Sequence, residues 1–288
     1  MTGGEYRLVQ LANGTWSVRS DRYAETFHPV VGPAEEANTL YVRQPRLRER
    51  MISTPEPFVI WDVGLGAAGN PLAVLAATKD LPGETQIFSF DQTTEPLAFA
   101  LQHQSAFPHI PEYKTYLQQL LNPTSQSSSF TDDQRHVKWQ LHVGDFPTRL
   151  SSPAANLLPK PHAILFDAYS PASNPEMWTL PLFEKLFRLL DPARPCALPT
   201  YSRSTLLRVT LLLAGFYVGA GHATGEKDET TLAANTPDLI DELLDHNWLG
   251  RVQRSTSAEP LRSSHYRQAP LSQESRDRLE RHPQFARP

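Results

Sequence analysis

Three glycines, Gly64, Gly66 and Gly69, stand in the run W-D-V-G-L-G-A-A-G from Trp61 to Gly69. A G-x-G-x-x-G spacing lets the backbone turn sharply and lets a ligand approach it closely. The free amides that open the following helix then attract a negatively charged group. The spacing carries this meaning only between a strand and a helix. Phe58 to Val63 supplies an apolar, strand-like run before it, and Asn70 to Lys79 an alanine-rich, helix-like run after it. Asp91 closes the next strand-like run, about 20 residues past the last glycine, where a carboxylate accepts hydrogen bonds from ribose hydroxyls. Thr93 and Thr94 follow, so a helix cap is the structural alternative for Asp91. Asp62, inside the motif, is grouped with these cofactor residues. Either a nicotinamide or flavin dinucleotide or S-adenosylmethionine fits this arrangement.

Two later segments carry further chemistry. V-G-D-F, Val143 to Phe146, places Asp145 just after a third strand. In methyltransferases an acid at that point commonly meets the adenine amino group, and the same residue can cap a helix. F-D-A-Y-S-P-A-S-N-P-E-M-W, Phe166 to Trp178, follows a fourth strand. Ligands of open α/β sheets sit beyond the carboxyl ends of the strands, so Asp167 is expected to face the pocket, with Asn174, Pro175 and Trp178 shaping a loop over it. Asn174-Pro175 also reads as a turn before a helix.

The elements that must position these residues alternate strand and helix. Strands are expected at 58–63, 85–90, 137–143, 162–166 and 196–201, and helices at 70–79, 95–104, 112–121, 177–190 and 204–214. A closing antiparallel pair is expected at 216–220 and 230–234. This order implies a doubly wound, mostly parallel, Rossmann-like sheet covered on both faces, and with S-adenosylmethionine at its glycine turn it would be a sheet of the class I methyltransferase kind. Pro199 sits awkwardly in the fifth strand, because proline cannot donate to the ladder. The serine-rich stretch 122–133 reads as a surface loop. The chain divides into an N-terminal extension over 1–50, a core over 51–240 and a peripheral, partly disordered arginine-rich tail over 241–288.

The 288 residues are 40% hydrophobic and 20% charged, enough apolar material for a full core. A single cysteine, Cys196, excludes an internal disulfide and a cysteine-based metal site, and no metal is expected. With no signal-peptide pattern at the N-terminus and no run long enough to span a bilayer, a reducing cytoplasm is the expected compartment. The net charge of −4 argues against nucleic-acid binding through bulk charge. A basic face could still form if Arg43, Arg46, Arg48, Arg50 and the tail gathered on one side.

Taken together, these motifs resemble the methyltransferases of the MnmC/MnmD type, which act on the wobble uridine of tRNA. The D-V-G-L-G-A-A-G, V-G-D-F and D-A-Y-S-P-x-x-N-P-E-M-W segments carry the resemblance. T-Y-S-R-S (200–204), L-L-A-G-F (212–216), G-E-K-D-E-T-T (225–231), S-D-R-Y-A-E-T-F-H (20–28) and L-Y-V-R-Q (40–44) extend it. The resemblance implies S-adenosyl-L-methionine as cofactor and tRNA as partner, with 5-aminomethyl-2-thiouridine becoming 5-methylaminomethyl-2-thiouridine. It implies only the methyl-transfer half of the longer family members, without their flavin-dependent oxidase domain, so a separate oxidase would act in the same pathway. Asp167 is then expected to orient the amine and take its proton. Tyr169 and Trp178 would stack on the uracil ring, though as core residues they would look the same in sequence; Glu25 and His28 would lie near the active site, with a structural histidine as the alternative for His28; and Arg203 and Lys227 would contact substrate or phosphate, which exposed salt bridges explain as easily. The same fold also serves other amine methyltransferases and aminopropyl transferases. A dinucleotide-dependent oxidoreductase and a non-catalytic tRNA-binding protein are the remaining alternatives.

Overall fold

The chain opens with a hairpin. Tyr6–Gln10 (β1) pairs antiparallel with Trp16–Ser20 (β2) across an Asn13-Gly14 turn, in which Gly14 has φ 83° and the Asn13 side chain accepts from the Thr15 amide. Glu25–Thr26 (β3) adds a short third strand. The computed structural model describes residues 5–27, 32–224 and 228–286. A helical stretch follows, from Pro33–Ala37 (α1) through a π-helical segment, Asn38–Arg43, to Leu47–Ser53 (α2).

The core then alternates strand and helix. Its strands are Phe58–Val63 (β4), Gly83–Asp91 (β5), Ser127–Asp132 (β6), Arg135–Val143 (β7), Ala163–Phe166 (β8), Ala197–Thr200 (β9), Tyr217–Gly221 (β10) and Thr230–Ala234 (β11). Between them run Gly69–Thr78 (α3), Glu95–Gln102 (α4), Ile110–Leu120 (α5), Phe146–Ser151 (α6), Leu180–Leu189 (α7) and Thr205–Ala214 (α8). The sheet order is β10-β11-β9-β8-β4-β5-β7-β6. Strands β9, β8, β4, β5 and β7 run parallel, while β10, β11 and β6 run against their neighbours. The order reverses between β4 and β8, and ligands of such sheets bind at that point.

Every residue of β4 is buried. Val59, Trp61 and Val63 join the apolar core on one face, and Phe58 and Ile60 that on the other. A parallel strand covered on both faces therefore reads as a near-continuous apolar run, broken here only by Asp62. Pro199 is accommodated at the edge of this ladder. The β8–β9 pairing is confined to Ala163↔Ala197, and Pro199 lies opposite Leu232 of the antiparallel β11.

Two expectations give way. The serine-rich stretch is not all loop: β6 extends the sheet as an edge strand, burying Ser128 and Phe130 while Ser129 and Thr131 face out. The tail is ordered over its described residues. His246–Val252 (α9) and Gln273–Glu280 (α10) bring Trp248, Leu249, Leu271, Leu279 and Phe285 into the main core. The tail's few apolar residues, spaced far apart, are the ones that pack. The condition for a basic face is not met by the N-terminal arginines, whose guanidinium groups are engaged with protein partners. Arg48 makes a two-pronged bond to Asp80, at 2.7 Å on each oxygen, and holds that carboxyl down at about 2. Arg50 donates to the carbonyls of His162 and Pro195, and burial lowers its guanidinium to about 10. Arg43 pairs with Glu35, and Arg46 donates to the Asp238 carbonyl. Among the described residues no helix is long and apolar enough to cross a membrane.

Candidate active site

At the carboxyl end of β4 the chain must leave the sheet beside β8. Gly64 makes this turn with φ 95°, and a Cβ there would lie 2.5 Å from the Asp167 carbonyl oxygen, so only glycine fits. Gly66 has φ 53°, and its amide donates to Asp91 Oδ2 at 2.9 Å. Ala68, at φ 62°, turns the chain into α3, which starts at Gly69. Asp91, the last residue of β5, accepts from the Thr93 amide on its other oxygen at 3.2 Å. Burial raises its pKa, and these backbone bonds oppose the rise. One carboxylate thus ties the glycine turn to the end of the second strand and keeps lone pairs for a ligand.

The opposite wall begins at the end of β8. The Asp167 amide donates to the Val63 carbonyl at 2.9 Å, which seats Asp167 directly against the glycine turn. Its Oδ2 accepts from Asn70 Nδ2 at 2.8 Å. Asn70, in the first turn of α3, is 2% exposed, and its Oδ1 is buried with no partner. Tyr201 donates to the Ala168 carbonyl at 3.1 Å and Tyr41 to the Phe166 carbonyl at 3.4 Å, pinning the backbone on either side of Asp167.

The N-terminal sheet forms the third wall. Glu25 accepts from the Ser170 amide and from the hydroxyls of Ser170 and Ser173, which clips β3 to the loop after Asp167. Tyr23 stacks on Tyr169 with ring centroids 4.0 Å apart, and Phe27 leans on the same ring at 5.7 Å. The three walls enclose a cleft of about 1380 Å³ lined by Gly64, Gly66, Gly69, Asp91, Asn70 and Asp167 together with Glu25, Tyr169 and Asn174. Small-molecule sites are commonly smaller, roughly 300 to 1,000 Å³. This cleft therefore has room for a nucleoside cofactor and for part of a second molecule.

Other residues singled out from the sequence lie elsewhere. Asp62 does not line the cleft. It is fully enclosed in β4, with one oxygen accepting from Ser89 at 2.6 Å and the other unpartnered, and burial raises it to about 7. Asp145 is exposed and caps α6 by accepting from the Thr148 amide at 2.8 Å; its neighbours Gly144 and Phe146 line the cleft. Trp178 corrects the expectation of base stacking. Its ring is fully buried among Phe166, Phe183 and Tyr201, and its indole donates to the Tyr169 carbonyl at 2.7 Å, so it supports the Asp167 loop from beneath. Arg203 does not line the cleft and pairs with Asp228 at 3.5 Å. His28 and Lys227 lie outside the described residues. Sequence reasoning missed Asn70, Tyr23, Phe27 and Tyr201. An asparagine directly after a glycine turn reads as ordinary helix-start chemistry, and aromatics on separate elements show no spacing that joins them.

The chain is similar to known methyltransferases. A family model described as S-adenosyl-L-methionine-dependent methyltransferase matches residues 110–236. The tRNA 5-methylaminomethyl-2-thiouridine biosynthesis bifunctional protein MnmC of Methylibium petroleiphilum is 29% identical over 224 residues, covering 76% of this chain and 33% of that protein. MnmC of Pseudomonas putida is 25% identical, covering 77% and 34%. The chain thus spans about a third of the length of these curated relatives. Among solved structures, MnmC2 from Aquifex aeolicus superposes with a TM-score of 0.69 at 23% identity, over 97% of this chain and 85% of that one. A spermidine synthase in complex with the transition-state analogue AdoDATO gives 0.53 at 11% identity, over 95% and 84%. Both structures share the fold.

Proposed function

We propose that this S-adenosyl-L-methionine-dependent methyltransferase, a relative of the MnmC enzymes, methylates the side-chain amine of 5-aminomethyl-2-thiouridine at the tRNA wobble position. The observation that carries the reading is the seating of Asp167. Its carboxylate borders the same cleft as the glycine turn and Asp91, in a chain alignable with MnmC over three-quarters of its length.

The residues fit the cofactor. The Gly64–Gly69 turn presents backbone that a side chain would block, Asp91 offers a half-buried carboxylate at the strand end, and the cleft has the volume. When bound, S-adenosylmethionine supplies a methyl group activated by its sulfonium. The protein's own work is to bring a neutral amine into line with that methyl and to receive a proton. Asp167 does the second task, taking the proton that the nitrogen gives up as its new carbon bond forms. Most of the acceleration comes from holding the reacting atoms in line, which the pinned backbone around Asp167 serves. Tyr169, stacked against Tyr23 at the cleft wall, supports the pyrimidine ring.

The test is transfer of labelled methyl from S-adenosylmethionine to tRNA isolated from cells lacking this gene. Label in that tRNA, and none in fully modified tRNA or free polyamines, supports the reading. Label in polyamines alone would replace it with a small-amine transferase.

A further inference from the structure

Asn70 has a feature the proposed reaction does not yet use. Its amide is enclosed, its nitrogen is committed to Asp167 Oδ2 at 2.8 Å, and its Oδ1 is buried beside the cleft with nothing to accept from. Buried acceptors are almost always satisfied, and each exception calls for an explanation such as an occupant not present in the structure. Because the amide nitrogen is already used, the only valence Asn70 offers the cleft is that of an acceptor. The partner that Oδ1 lacks is therefore an N–H or O–H donor, and the adjacent cleft wall shared with Asp167 is where one can be supplied.

We infer that Asn70 and Asp167 form a two-point cradle for the acceptor amine, with Asn70 Oδ1 receiving one N–H and Asp167 the other. The inference rests on the amine-methylation reading above. A neutral primary amine has two N–H bonds and one lone pair. Fixing both hydrogens leaves the lone pair as the only free direction, which selects the attack line. The nitrogen forms a bond to the methyl carbon as the carbon–sulfur bond breaks, and one of its protons passes to Asp167. The neutral secondary amine that results retains a single N–H. It cannot satisfy both acceptors, so the cradle favours one methyl transfer over two.

Two variants test this. Asn70→Leu keeps the volume and removes the polar atoms. Its KM for tRNA should rise by about tenfold or more with a fall in kcat. Its affinity for S-adenosylhomocysteine, measured by calorimetry, should stay within about twofold of the wild type, since that ligand does not occupy the amine position. Asn70→Asp is nearly isosteric and remains informative if the leucine variant does not fold. It sets a second carboxylate beside Asp167, which raises the pKa of the pair, so the acid limb of kcat/KM should move to higher pH. An Asn70→Leu enzyme that methylates tRNA like an active wild type would overturn the cradle. So would weakened S-adenosylhomocysteine binding with an unchanged KM for tRNA, because Oδ1 would then serve the cofactor. An unmoved pH limb in Asn70→Asp would equally overturn it. A wild type inert on tRNA would overturn the acceptor reading and this inference together, and is distinguishable from the other outcomes for that reason.

Discussion

Asp62 and Asp167 sit near the ends of adjacent parallel strands and meet opposite surroundings. Asp167 borders the cleft and is held by an amide donor, whereas Asp62 is sealed in the sheet with one oxygen unpaired. Asp167→Asn should lower kcat by roughly 10²- to 10⁴-fold, the range for removing a general base. It should keep S-adenosylhomocysteine affinity, with single-turnover kinetics and calorimetry as the paired readouts. Asp62 is raised from the usual carboxylate range to about 7, so the folded state favours its protonated form. Its effect on stability is harmless at low pH and becomes unfavourable as pH rises from about 4 through about 7. Relative to Asp62→Asn, the wild type should lose stability across that window and no further above it, as read from urea midpoints at several pH values. Parallel profiles for the two proteins would show that Asp62 does not titrate there. At this scale Asp167 was legible because it follows an apolar run and opens an unusual polar-aromatic segment. Trp178 could not be settled between stacking and support, because a tryptophan beneath a loop and one facing a base have the same sequence signature.

The elements that build the site divide by how their side chains are buried. Strands β4 and β8 are buried on both faces and show as apolar runs, interrupted in β4 only by the enclosed Asp62. Strand β6 escapes such a reading because it is an edge strand, with only Ser128 and Phe130 turned inward. The N-terminal hairpin carried a signal in Asn13-Gly14 between alternating segments, a strong short-range hairpin cue. The resemblance placed Glu25 near the active site, but no spacing shows that this sheet covers the cleft, since the contact is made by Glu25 with serines about 145 positions further on. Glu25→Ala should release that clip. The expected outcome is a several-fold rise in KM for tRNA and faster proteolysis within 168–175, with the core melting temperature little changed. Gly64→Ala belongs to the same scale. Its φ of 95° and the nearby Asp167 carbonyl make any Cβ a conflict. A strained position of this kind costs roughly 1–3 kcal/mol. Differential scanning calorimetry should show the loss, together with abolished S-adenosylhomocysteine binding.

For the whole molecule, the arginines near the N-terminus act as struts. Arg50 ties α2 to the loops ahead of β8 and β9 through two carbonyls, so Arg50→Ala should destabilise the protein by about 1–3 kcal/mol, the cost of leaving such groups unmatched. The slope of tRNA affinity against salt should stay as in the wild type, because this guanidinium is not free to meet phosphate. A reduced slope would return Arg50 to an RNA-binding role. The tail likewise completes the core instead of hanging from it, with Phe285 and Leu279 buried far along the chain from the strands they support. The measurement that bears most directly on the function combines the fold, the cleft and its carboxylate. TRNA from cells lacking this gene is incubated with S-adenosylmethionine and either wild type or Asp167→Asn, then digested and analysed by mass spectrometry. The expected result is conversion of 5-aminomethyl-2-thiouridine to its monomethylamino form by the wild type and not by the variant. Methylation of a different nucleoside, or equal conversion by both proteins, would contradict it.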